Sequence, residues 1–89
     1  MKMFVLVRND LSKSQQAVQA CHAVAAISKY PWKLVKWDDT IVLLRVTDRA
    51  ELAQYWKKLG GVIFREPDIN NEITALASVG DFDLDLPLV

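Results

Sequence analysis

In this 89-residue chain, the side chains able to do acid-base or hydrogen-bonding chemistry fall into two groups. Gln15, Gln19 and His22, with Ala26, recur at helical spacing and lie within about 60° of one another when wound at about 100° per residue. Downstream, Glu66-Pro67-Asp68-Ile69-Asn70-Asn71-Glu72-Ile73-Thr74 places three acids, two amides and a hydroxyl in nine residues. A carboxylate or imidazole in such a set can orient or deprotonate a water, and amides can donate to a developing oxyanion. Each group also has a plain alternative: a hydrated helix surface for the first, and ordinary Pro-Asp and Asn-Asn turn formers for the second. Cys21 and His22 do not make a dyad, because adjacent helical side chains point about 100° apart, so Cys21 is expected to be a small buried hydrophobe. One Cys and one His cannot supply the four ligands of a structural zinc.

The elements that must position these groups follow from pattern. Met3 to Val7 is a continuous apolar run, read as a central strand covered on both faces. A helix follows from Ser14 to Ser28, capped by Ser12 or Ser14 and stopped near Tyr30 by Pro31. Its core arc is predicted to be Ala17, Ala20, Cys21, Val24, Ala25 and Ile27, with the Gln15, Gln19, His22 stripe facing solvent. Pro31 to Asp39 reads as a connection holding at most one helical turn, and Thr40 to Val46 as a second strand. Asp48 with Glu51 forms a capping box for a second helix, whose Leu52, Tyr55, Trp56 and Leu59 recur at helical spacing until Gly60-Gly61. Val62 to Phe64 is the third strand, Glu66 to Asn71 a polar loop, and Ile73 to Val79 the fourth strand. The alternating acids of Asp81 to Leu86 suit either an edge strand or a frayed tail. The order β-α-β-α-β-β predicts one α/β domain: a four-stranded mixed sheet packed by two main helices.

Composition narrows the classes of function. At 52% hydrophobic and 25% charged, the chain is not intrinsically disordered. Eleven basic residues against eleven acidic ones exclude a polybasic protein that binds nucleic acid by bulk charge. The balance is uneven, since residues 1–45 hold seven Lys and Arg against three Asp, a net of +4, and residues 46–89 a net of −4. Within the positive half, Lys29, Lys33 and Lys36 interleave with Tyr30, Trp32 and Trp37, offering phosphate-binding charge and stacking faces together. The plain alternative is that the indoles pin the connection to the core, Trp37 more so than Trp32. A single cysteine cannot form an internal disulfide, Met3 to Val7 is too brief for a signal sequence, and no run reaches the ~18 apolar residues of a membrane span. A reduced cytoplasmic setting with no membrane association is the expectation.

Two segments carry a family resemblance. Met3-Phe4-Val5-Leu6-Val7-Arg8-Asn9-Asp10-Leu11 followed by Ala17-Val18-Gln19-Ala20-Cys21-His22-Ala23 resembles the opening of the class II peptidyl-tRNA hydrolases. There a hydrophobic strand runs into Arg-x-Asp-Leu and the first helix carries Ala-Ala-Gln-x-x-His-Ala. The Thr-x-Leu-Ala pattern at Thr74 to Ala77 is similar as well. The resemblance implies that family's fold and hydrolysis of the ester joining a peptide to the 3′ ribose of tRNA, with no metal or other cofactor. It implies catalytic roles for Lys13, His22, Asp68 and Thr74, with Glu66 as the alternative carboxylate. Gln15, Gln19, Glu66, Asn70 and Asn71 would then line the substrate cleft, and Lys29, Trp32 and Lys33 would contact tRNA. Where the family usually has Gly-Lys-Gly-Lys, this chain has Ser12-Lys13-Ser14-Gln15, so a neutral amide falls where a lysine is expected. A weakened member that binds tRNA or a protein without turnover, and a small regulatory or dimerisation module, are the competing expectations. A homodimer would cover the edges that so small a sheet leaves open.

Overall fold

The computed structural model describes all 89 residues. Strand β1 spans Lys2–Arg8, helix α1 Lys13–Ser28, β2 Ile41–Val46, α2 Arg49–Leu59, β3 Val62–Glu66 and β4 Glu72–Gly80. Short 3-10 turns at Pro31–Leu34 and Pro67–Ile69 complete the order. The four strands form one mixed sheet in the order β2-β1-β4-β3. β1 pairs parallel with β2 and antiparallel with β4, which in turn pairs antiparallel with β3. A parallel pair needs a long crossover, and α1 with the Pro31–Leu34 turn supplies it.

Both faces of the sheet are covered, which is why β1 is apolar without alternation. On one face, Met3, Val5 and Val7 of β1 and Ala75 and Ala77 of β4 pack against Ala20, Ala23 and Ile27 of α1. The alanines on both sides let the helix approach the sheet closely. On the other face, Phe4, Leu6, Leu44, Val46, Ile73 and Leu76 pack around Leu52 of α2, with Tyr55 and Leu59 against them. Asp81 to Leu86 is neither strand nor frayed: Phe82, Leu84 and Leu86 pack on this second core while the three aspartates between them are exposed. The tail then meets the outer edge of β2, where Arg45 N–H donates to Pro87 O at 2.9 Å and Val89 N–H to Leu43 O at 3.2 Å. An otherwise open strand edge is thereby closed.

The ends of the elements obey local chemistry. Ser12 caps α1 by accepting from Gln15 N–H at 3.2 Å. Asp48 caps α2 by accepting from Glu51 N–H at 3.0 Å, and Glu51 reaches back to Thr47 N–H at 2.9 Å, one residue before the cap. Two predicted faces are corrected. α1 is rotated about its axis, so Gln16, Gln19, Ala20, Ala23 and Ile27 are buried while Ala17, Cys21 and Ala25 are exposed. Cys21 is therefore a surface residue. On α2, Trp56 turns away from the core and is 38% exposed.

Gly61, the residue before β3, takes φ +97, and a side chain there would run into the Ala77 carbonyl and Ser78 Cβ of β4. Gly60 has φ +71 with open space around it. Gly61→Ala should therefore cost about 2–4 kcal/mol, from backbone strain plus steric overlap, and Gly60→Ala only about 1–2 kcal/mol from strain. Urea unfolding of the two variants measures the difference, and equal losses would contradict it.

Candidate functional site

The side chains that converge lie where the N-terminal half of α1 crosses the ends of β3 and β4. β3 and β4 pair regularly from Val62 to Phe64, but Phe64 opposes Ala75 while the next residue, Arg65, opposes Ile73. Thr74 is thus the extra residue of a β-bulge, and bulges re-aim side chains. Ile73 packs with the α2 core and Ala75 with the α1 core, so the bulge is what turns Thr74 toward α1. There its hydroxyl, fully buried, donates to Gln19 Oε1 at 2.7 Å.

Gln19 is 1% exposed, in contrast to the solvent-facing place predicted for it. Its amide nitrogen donates to Glu66 Oε2 at 2.8 Å and to Gln15 Oε1 at 3.2 Å. A buried carboxamide is costly unless both ends are paired, and these partners pair both. The other oxygen of half-buried Glu66 accepts from Asp68 N–H at 3.2 Å. The Gln19 amide, then the Asp68 backbone, and then the nearby His22 ring hold the Glu66 carboxyl below its ordinary value of 4.5. A carboxyl shifted in this direction contributes stability while ionised, above about pH 4.5, and loses it as the pH falls toward the lower folded-state value. His22 is exposed and stacks flat on Phe64 of β3, ring centroids 4.3 Å apart and planes 7° from parallel.

The remaining predicted residues are distributed otherwise. Asp68 is exposed and meets Glu66 through its backbone, not its carboxylate. Lys13, in the first turn of α1, is exposed and makes no ion pair. Gln15 is exposed, its oxygen engaged by Gln19 and its amide NH₂ free to donate. Asn70 and Asn71 adopt left-handed conformations, φ 48 and 58, and border a different groove beside α2. Lys29, Trp32 and Lys33 lie past the far end of α1, ten residues or about 15 Å of helix from Gln19. There Trp32 is 65% exposed with Lys33 Nζ 4.0 Å over its ring, whereas Trp37 packs on the core and donates to Thr40 O at 2.9 Å.

Three participants escaped the sequence reading. Phe64, the platform under His22, alternates with Glu66 along β3 and so shares its face. Gln16 is buried and donates to Leu11 O at 2.8 Å, bracing the chain just before α1. Arg8, 7% exposed, makes a two-bond pair with Asp10 at 2.9 and 2.8 Å and reaches Glu72 Oε1 at 2.9 Å and Ile73 O at 3.1 Å. Arg8 thus fastens β4 immediately before the bulge, and its guanidinium holds the Asp10 carboxyl below its ordinary value. The Arg8 and Asp10 of the sequence pattern were the available signal.

No group of three or more His, Cys, Asp or Glu side chains converges as a metal site, and no helix is long and apolar enough to cross a membrane. No family model matches the chain, and no curated protein matches it.

Thr74→Val leaves the Gln19 oxygen buried without its donor, and Gln19→Leu leaves Thr74 only its longer contact to Phe64 O at 3.4 Å and removes the amide donor from Glu66. Each should destabilise by about 1–3 kcal/mol, and the double variant by at least about 1 kcal/mol less than the sum. A urea-unfolding double-mutant cycle checks this, and strict additivity would contradict it.

Proposed function

We propose that the protein is a hydrolase of the class II peptidyl-tRNA hydrolase kind, cleaving the ester between a peptide and the 3′ ribose of tRNA. The observation that carries the reading is the Thr74–Gln19–Glu66 relay, which presents an ionised carboxylate close to the His22 imidazole at the edge of α1. Those two groups suit a water-mediated ester hydrolysis, and the Arg8-Asn9-Asp10-Leu11 and Gln19-to-Ala23 patterns support the family.

In the proposed reaction, Glu66 orients a water and His22 accepts its proton as the oxygen bonds to the ester carbonyl carbon. The oxyanion so formed takes hydrogen bonds from the free amide of Gln15, while Lys13 points away from the His22 face of α1 and takes no part. Collapse breaks the bond to the ribose 3′ oxygen, which leaves with the proton held on His22. Thr74, being buried, positions Gln19 and does not touch substrate. Between the two carboxylates suggested by the sequence, Glu66 takes the role, because Asp68 offers only its backbone to the group. Lys29, Trp32 and Lys33 would meet the tRNA away from the ester.

A second reading has its own support. Gln15 provides no charge, and His22 lies flat on Phe64, an arrangement that also suits a member that binds tRNA without turnover.

Peptidyl-tRNA turnover separates the readings. His22→Ala and Glu66→Gln should each lower kcat by about 10²-fold or more, and Asp68→Asn should have little effect. Turnover unchanged by either of the first two would overturn the assignment. No turnover by the wild-type protein, with salt-sensitive tRNA binding retained, would establish the second reading.

A further inference from the structure

The opposite face of the sheet carries a groove that the reading above does not use. It encloses about 380 Å³ between the first two turns of α2 and the turn joining β3 to β4. Arg49, Ala53 and Trp56 are spaced on one face of α2, and Arg65, Asn70, Asn71 and Glu72 form the facing wall.

Its chemistry is unusual for a surface left to water. Trp56 is an exposed indole outside the apolar core, although its neighbours Leu52, Tyr55 and Leu59 all pack inward. Arg65 has no carboxylate partner, and its guanidinium bonds only to Asn71 O at 3.4 Å. Arg49 is 3.5 Å from Glu72, whose same oxygen is already held by buried Arg8 at 2.9 Å. Of the two groove arginines, Arg65 is therefore the one without a counter-charge, while Arg49 has a longer, shared contact to Glu72, which also lines the groove. Neither side-chain amide of Asn70 or Asn71 bonds to the protein.

We infer that this groove binds a nucleotide, its base stacked on Trp56 and its phosphate between Arg49 and Arg65. Indole faces stack on bases of any sequence, guanidinium forks match phosphate oxygens, and free amides can bond to base or ribose edges. The volume falls within the range of small-ligand sites. A nucleobase without phosphate would forgo the two guanidiniums, and inorganic phosphate would forgo the indole, so the groove should prefer the two joined. The nucleotide can be free or part of a single strand of RNA.

The test follows the Trp56 indole N–H signal by ¹H–¹⁵N NMR in the full chain, identified by its loss in Trp56→Leu. Titration with AMP should shift that signal, while adenosine and inorganic phosphate should each bind at least about 10-fold more weakly. Arg65→Gln, at an exposed position, should weaken AMP binding about 10-fold with the rest of the spectrum retained, and Arg49→Gln should do likewise. A hexa-adenylate strand that shifts the same signal at lower concentration than AMP identifies strand-borne nucleotides as the source, and equal or weaker binding identifies free ones. A Trp56 signal unmoved by millimolar AMP and by the strand, or AMP binding undiminished in both arginine variants, would overturn the inference. These outcomes are independent of peptidyl-tRNA turnover, which depends on the other face of the sheet.

Discussion

One buried carboxamide, that of Gln19, ties together the parts of this molecule that could do chemistry. Hydrogen bonding runs in one direction through it, from the Thr74 hydroxyl into the amide oxygen and from the amide nitrogen to the Glu66 carboxylate. Among side chains of this length, only glutamine supplies an acceptor and a donor at once. A glutamate would set a second carboxylate against Glu66, and a lysine would leave the Thr74 hydroxyl only the longer contact to Phe64 O at 3.4 Å. The relay needs the helix close to the sheet, which the alanines of α1 and β4 allow, and it needs the β4 bulge to aim Thr74. Local backbone irregularity and small core residues thus serve the same contact.

Charge is organised around that contact more than the neutral total suggests. Buried Arg8 answers Asp10 and Glu72 at the end of β1 and holds β4 in place just before the bulge. Glu66 remains ionised through hydrogen bonds that come first from Gln19 and then from the turn after β3. Glu72 is shared between Arg8 and Arg49, so the guanidinium left without a carboxylate on the α2 face is that of Arg65. Two faces of one small sheet accordingly present different chemistry, an ionised carboxylate with an imidazole on one and guanidinium groups with an indole on the other.

The order of elements was legible because each is marked by strong local signals: the apolar run of β1, Pro31 after α1, the Asp48 and Glu51 cap, and Gly60-Gly61 before β3. The rotation of α1 was not. Its apolar residues are mostly alanines, which carry too little hydrophobicity to fix a face, and the rule that glutamine faces water failed because both ends of the Gln19 amide, and the amide nitrogen of Gln16, find partners inside. Trp56 departed for the converse reason, since helical spacing admits it to the core but Leu52 fills the centre. The choice between Glu66 and Asp68 depended on a 3-10 turn, which leaves Glu66 on the strand and swings Asp68 out to solvent. Nothing in residue type distinguishes two acids two positions apart. The Thr74 bulge was equally silent, because a one-residue insertion in β4 leaves its composition unchanged.

The claim that Gln19 sets the state of Glu66 is tested most directly by titrating the Glu66 side-chain carboxyl with ¹³C NMR. The account predicts a midpoint below the ordinary glutamate value of 4.5 in the wild-type protein, rising toward that value in folded Gln19→Leu. A Glu66 that titrates at its ordinary value in the wild-type protein, or one whose depressed midpoint is unchanged in folded Gln19→Leu, would contradict it.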